Sequence, residues 1–175
     1  MAFKRNLLAG AAIAVLVAAF AFHALAQRPA APDATFTTLD GRQLRLADLR
    51  GKTVAVMFWA TSCPICKAEM PNLVETYRKY QPRGFELIAV AMAYDSPEDV
   101  KKFAKSGGLP FPVVLDTDGD LARAFSDTKV VPTTFLIDGS GKFVSRTLGA
   151  IDFTKLRQHL DASLGARLKQ GKEAT

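Results

Sequence analysis

Cys63 and Cys66 are the only two cysteines in 175 residues and stand three apart in the segment WATSCPICKAE. Two cysteines cannot staple a chain of this length, so their chemistry is local. The segment follows a continuous apolar run, TVAVMFWA at 53–60, and opens a helical pattern. At such a junction Cys63 falls at the helix N-cap. The backbone amides of Ile65 and Cys66 then aim at its sulfur, and the positive end of the helix dipole favours thiolate over thiol. Pro64 takes the first helical position, where its missing amide costs nothing and its fixed φ starts the helix. Cys66 returns beneath Cys63 toward the core, near enough for a disulfide and less accessible. One sulfur is placed to attack a partner's disulfide, the other to resolve the mixed disulfide that forms.

Other uses of the pair fit less well. A structural disulfide closing so short a loop removes little entropy from the unfolded chain. A structural zinc site needs four ligands, and beyond residue 26 the chain has one cysteine pair and one histidine, His159. His159 reads as a helix-surface residue without a role, and no metal and no cofactor beyond the disulfide itself is assigned. Two rivals remain. One is a peroxide-reducing enzyme, which would want a threonine-rich pocket around its cysteine and a distant partner cysteine. The other is a copper-handling assembly factor, which would want an added histidine ligand.

The elements that must position the cysteines follow from periodicity. FTTLDGRQLRLADLRGK, from Phe36, gives two short alternating runs around Asp40-Gly41, a hairpin. Residues 53–60 and FELIAVAM, 85–92, are unbroken apolar runs of the kind that strands buried on both faces show. Between them Cys66, Met70, Leu73, Val74 and Tyr77 make one helical stripe over about Cys63 to Gln81, which Pro71 kinks without ending. A helix over 97–106 opens on Ser96-Pro97 and stops at Gly107-Gly108. FPVVLD is a short strand and DLARAFSD a short helix. The strands TTFLID (133–138) and KFVSRTL (142–148) pair through Gly139-Ser140-Gly141, and a closing helix spans Phe153 to Leu168. Strands alternating with helices and then a final hairpin describe an α/β fold with a mixed central sheet and helices on both faces.

Residues 1–26 carry Lys4 and Arg5, then an uncharged apolar run through residues 7–22, then Ala24-Leu25-Ala26. That is an export segment, either cleaved after Ala26 or kept as an N-terminal membrane anchor through 7–22. Positive charge at its start keeps that end cytoplasmic and sends the rest outward. Residues 27–34 form a Pro/Ala linker, 35–168 one domain, and 169–175 a polar tail. The net charge of +6 is spread among acids with no aromatic-interleaved basic stripe, which excludes a nucleic-acid partner. A monomer is expected.

These motifs resemble the thioredoxin superfamily, and within it the exported, redoxin-like thiol–disulfide oxidoreductases of the TlpA/ResA/CcmG kind, over about residues 35–165. FWATSCPIC is similar to their active-site segment, Pro71 to the kinking helix proline, and VVPTTFLID to their cis-proline loop. The resemblance implies a thioredoxin fold carrying two additions, the N-terminal β-hairpin and a central helix-strand insertion over about Pro97–Leu115. It makes Pro132 the cis-proline and gives Val131 a backbone facing a substrate strand opposite Cys63. Thioredoxin's buried aspartate is matched by Met57, which moves no proton. The branch instead resembles this chain in having a glutamate three residues after the second cysteine, Glu69. At the edge of the apolar stripe, burial would raise its pKa and let it take the Cys66 thiol proton. Trp59 and Ser62, before the first cysteine, and Pro64 are carried over as substrate-facing residues. Ser62 stands where tryptophan is common, and Pro64-Ile65 is not thioredoxin's Gly-Pro, so substrate and potential are not transferable. The function implied is a periplasmic protein-disulfide reductase, with apocytochrome c or a copper-site protein of respiratory assembly as substrate. A membrane thiol reductant would supply its electrons.

Overall fold

The computed structural model describes residues 13–20 and 28–173, with side chains to residue 165. Residues 13–20 are helical and exposed, and the rest of the export segment lies outside the described residues. Among the described residues, no helix is long and apolar enough to cross a membrane.

Strands β1 (Thr35–Thr37) and β2 (Gln43–Arg45) form the expected antiparallel hairpin, with Thr35 opposite Arg45. Gly41 turns it at φ +82°, a left-handed conformation that glycine adopts without a Cβ clash. The main sheet has five strands in the order β5-β4-β3-β6-β7: β3 Thr53–Trp59, β4 Phe85–Ala91, β5 Val113–Leu115, β6 Thr133–Ile137 and β7 Phe143–Leu148. β3, β4 and β5 run parallel, whereas β6 and β7 are antiparallel to their neighbours. All residues of β3 and β4 are buried, as their unbroken apolar runs require.

Four helices follow the strands: α1 Pro64–Tyr80, α2 Pro97–Ser106, α3 Asp120–Ala124 and α4 Phe153–Glu173. Because strand side chains alternate between faces, Met57, Trp59, Leu87 and Ala89 pack with residues of α1, α2 and α4. Val56, Phe58, Ile88 and Val90 face the other way. They meet Phe36 of the hairpin, Leu46 and Leu49 of a 3-10 turn, and Ala122 of α3. Helices do cover both faces, but unevenly: three long ones share one side, and the hairpin fills most of the other.

Two boundaries differ from the sequence reading. Of the linker read over 27–34, the described residues 28–34 are not a free spacer. The Pro29 carbonyl accepts from the Phe143 amide at 2.9 Å, the Ala31 amide donates to Gly141 at 2.9 Å, and Ala31 and Ala34 are buried. Small apolar side chains let this strip lie against the β6–β7 turn. The closing helix also continues past Leu168 to Glu173, because Lys169, Gln170, Lys172 and Glu173 favour helix and no proline stops it.

Phe125, fully buried, links the hairpin to the sheet, with ring centroids 6.2 Å from Phe36, 5.6 Å from Phe58 and 5.3 Å from Phe135. Phe125→Ala is expected to cost about 3–5 kcal/mol by urea unfolding; a loss under about 1 kcal/mol would mean the hairpin side is not packed as described.

Candidate active site

The parallel β3–α1–β4 crossover delivers α1 to the end of the central strands, where open α/β sheets hold their sites. Cys63 is the N-cap of α1, extended at φ −91° and ψ 108°, and its Sγ accepts a hydrogen bond from the Cys66 amide at 3.1 Å. Pro64 occupies the first turn. Cys63 and Cys66 are joined as a disulfide with 5.3 Å between their Cα atoms. Cys63 is 9% exposed and Cys66 fully buried, so the first cysteine is the more accessible of the two.

Glu69 lies one turn further along α1 and is 6% exposed. Its Oε1 accepts from the amide of Ile151, in the loop that leads into α4, while Oε2 is buried with no protein partner. Burial pushes this carboxyl above its ordinary value, and the Ile151 amide offsets part of that by favouring the charged form. Met57 sits fully buried in the same apolar cluster as Cys66. The site therefore holds one carboxyl next to the resolving cysteine, on the helix rather than on the strand.

The Val131-Pro132 peptide is cis, and Pro132 is buried just ahead of β6. The Pro132 carbonyl accepts from the Gly149 amide at 2.8 Å, and the Thr133 hydroxyl donates to the Val130 carbonyl at 2.6 Å. Val131 is half-buried, and Ser62 and Pro64 are exposed. Trp59 is a correction. It is fully buried, with its ring 5.2 Å from that of Phe103, so it does not face a substrate. Its position as the last inward residue of β3 turns the indole under α2. His159 is half-buried on α4, and burial first, then the Arg28 charge, holds its imidazole below the ordinary value.

Two features escaped the sequence reading. Asp95, in the loop after β4, accepts from the Thr61 amide at 2.7 Å and the Thr61 hydroxyl at 2.5 Å, pinning the chain two residues before Cys63. No spacing signal links positions 34 residues apart. Ile65, Tyr94 and Val130 are more than half exposed on loops and a helix start at this end of the sheet. Ile65 was the one visible in advance, because it lies inside the cysteine motif. Among the described residues, no three His, Cys, Asp or Glu side chains gather as a metal site.

A mixed five-stranded sheet with a helix-capping CxxC disulfide and a cis-proline beside β6 defines a thioredoxin-fold thiol–disulfide oxidoreductase. The chain belongs to the AhpC/TSA family, which it matches over residues 28–146. It is 40% identical over 139 residues to the thiol-disulfide oxidoreductase ResA of Geobacillus thermodenitrificans, covering 79% of each chain. It is 37% identical over 131 residues to that of Bacillus subtilis, covering 75% of this chain and 72% of the other. Among solved structures, a putative thioredoxin from Neisseria meningitidis superposes with TM-score 0.72 at 37% identity, over 78% of this chain and 91% of that one. A thiol:disulfide interchange protein from Chlorobium tepidum does so with TM-score 0.72 at 30% identity, over 79% and 97%.

Burial of Glu69 makes a prediction about stability. Between its ordinary value of 4.5 and its raised folded value, the folded protein keeps a proton that the unfolded chain has lost. The stability Glu69 contributes in acid is thus lost as pH rises through that window. In the oxidised protein, Glu69→Gln is expected to gain Tm relative to wild type as pH rises above 4.5, and to keep that gain once Glu69 is ionised in the folded state. A Tm difference independent of pH would show that Glu69 titrates alike in both states.

Proposed function

We propose that this thiol–disulfide oxidoreductase is a reductase working on the exported side of the membrane, the periplasm or its equivalent, as a monomer. Its substrates are disulfides in other proteins, apocytochrome c or a copper-site protein of respiratory assembly being the kind that the TlpA/ResA/CcmG resemblance implies. The observation that carries the reading is the asymmetry of the disulfide: the more accessible cysteine caps a helix N-terminus, and the other is fully buried three residues before a carboxyl with one unpartnered oxygen. An exported reductase stands in an oxidising space, so a membrane thiol reductant must return electrons to the Cys63–Cys66 pair. Residues 7–22 of the export segment, if retained, would tether the domain close to that donor.

In the reduced protein, the helix amides and dipole stabilise the Cys63 thiolate. The thiolate attacks one sulfur of the substrate disulfide, forming a mixed disulfide and releasing the other substrate sulfur as a thiolate. Cys66 then gives its proton to Glu69 and attacks Cys63 Sγ. The bond from Cys63 to the substrate breaks, the second substrate thiolate leaves, and the enzyme disulfide closes. Two electrons pass from the enzyme dithiol to the substrate. Exposed Ser62, Pro64 and Ile65, with the Val131 backbone ahead of Pro132, border the sulfur that a substrate strand would reach.

Cys63→Ser is expected to abolish reduction of a protein disulfide, whereas Cys66→Ser should accumulate mixed disulfides that survive acid trapping and are resolved by dithiothreitol. Turnover by the Cys63→Ser protein would overturn the assignment. Peroxide consumption faster than disulfide reduction would instead favour the peroxide-reducing rival.

A further inference from the structure

A cavity of about 370 Å³ lies between β6, β7 and the start of α4, walled by Thr134, Ser145, Thr147, Ile151 and Asp152 among others. Ile151 stands between this cavity and the cysteine site, since its amide donates to Glu69 Oε1. Thr134 lies beside Met57 in the β3–β6 register, on the sheet face that packs against Cys66. Only three buried side-chain polar atoms lack a partner among the described residues, and two of them are Glu69 Oε2 and Thr134 Oγ1. Both residues are 6% exposed. Buried polar groups are almost always hydrogen-bonded, to protein or to ordered water. A cavity of this size admits several waters at about 30 Å³ each, and three of its walls are threonine or serine hydroxyls.

We propose that this cavity is a hydrated proton port, with Thr134 as the positioning residue that orders water between Glu69 and the solvent. The proposal rests on Glu69 being the base for Cys66. Each oxidative half-cycle loads one proton from the Cys66 thiol onto the Glu69 carboxylate; that proton returns to the Cys66 thiolate when the pair is reduced again or exchanges with solvent, and the port carries the exchange that keeps Glu69 ionised and ready to accept. Burial leaves Glu69 little direct contact with bulk water. The proton passes from the carboxyl to cavity water hydrogen-bonded to the Thr134 hydroxyl, and on past Ser145 and Thr147. No electrons move in this step, and the leaving substrate thiolate takes its own proton from solvent. Of the charged groups near the port, Asp152 and Lys155 pair with each other at 3.2 Å at its wall. The Lys155 amide and ammonium hold the Asp152 carboxyl below its ordinary value, so it competes weakly with Glu69 for the proton.

The test compares Thr134→Val, Thr134→Ser, Glu69→Gln and wild type in the pH dependence of mixed-disulfide resolution, with the Glu69 pKa read by carbon-13 NMR of the reduced protein. Thr134→Val keeps shape and removes the hydroxyl. It is expected to slow resolution three- to ten-fold at neutral pH and to raise the Glu69 pKa, and Thr134→Ser should restore both. If Glu69→Gln is slow while Thr134→Val keeps the wild-type profile and Glu69 pKa, the port is refuted and the base assignment stands. Should Thr134→Ser be as slow as Thr134→Val with an unmoved Glu69 pKa, Thr134 only packs, and the port is again refuted. A wild-type rate and profile in Glu69→Gln would remove the base, and the port with it.

Discussion

Reactivity at this site depends on one junction, where β3 passes into α1 and Cys63 caps the helix. The Cys66 amide reaches Cys63 Sγ at 3.1 Å, so one of the helix's first free donors falls on the sulfur that must carry charge. A helix terminus stabilises a nearby anion by about 0.3–1 kcal/mol when exposed and up to about 2 kcal/mol when partly buried. At about 1.4 kcal/mol per pKa unit, this is at most about 1.5 units, enough to raise the thiolate share of an ordinary thiol from a few per cent to at most about half near neutral pH. The junction keeps this geometry because β3 is buried along its whole length and Asp95 holds the Thr61 backbone before the turn.

The same helix sets the contrast between the two sulfurs. A spacing of three carries Cys66 under the first turn and into the apolar cluster, where a thiolate is costly. A resolving cysteine in that place needs a base close by, and Met57 offers none from the strand. In the proposed mechanism that base is Glu69, buried one turn below with an unpartnered oxygen. Its own burial raises its pKa, which makes it a better proton acceptor than an exposed carboxylate.

Legibility in the sequence followed the strength of local signals. Helix α2 starts and ends where Ser96-Pro97 and Gly107-Gly108 say it should, and the Ser96 side chain accepts from the Asp99 amide as an N-cap. β3 and β4 were readable as unbroken apolar runs, and the Asp40-Gly41 turn gave the hairpin. Features set by tertiary contact were hidden. Docking of residues 29–31 on the β6–β7 turn uses backbone bonds that leave no mark in composition. The inward aim of Trp59 depends on strand parity against a helix far along the chain. In the site, the cysteines, the cis-proline and the burial of Glu69 were all in reach of the motif, whereas the Asp95 clamp and the cavity beside Thr134 exist only once β4, β6 and α4 are assembled.

The reduction potential of the Cys63–Cys66 couple, equilibrated in glutathione buffers and read by thiol trapping, is the most direct check on a helix-capped, buried-resolving pair acting as a reductase. A value between about −200 and −270 mV, spanning glutaredoxin to thioredoxin, is expected. A value near about −120 mV would make the protein an oxidant of newly exported chains and contradict the assignment of a reductase.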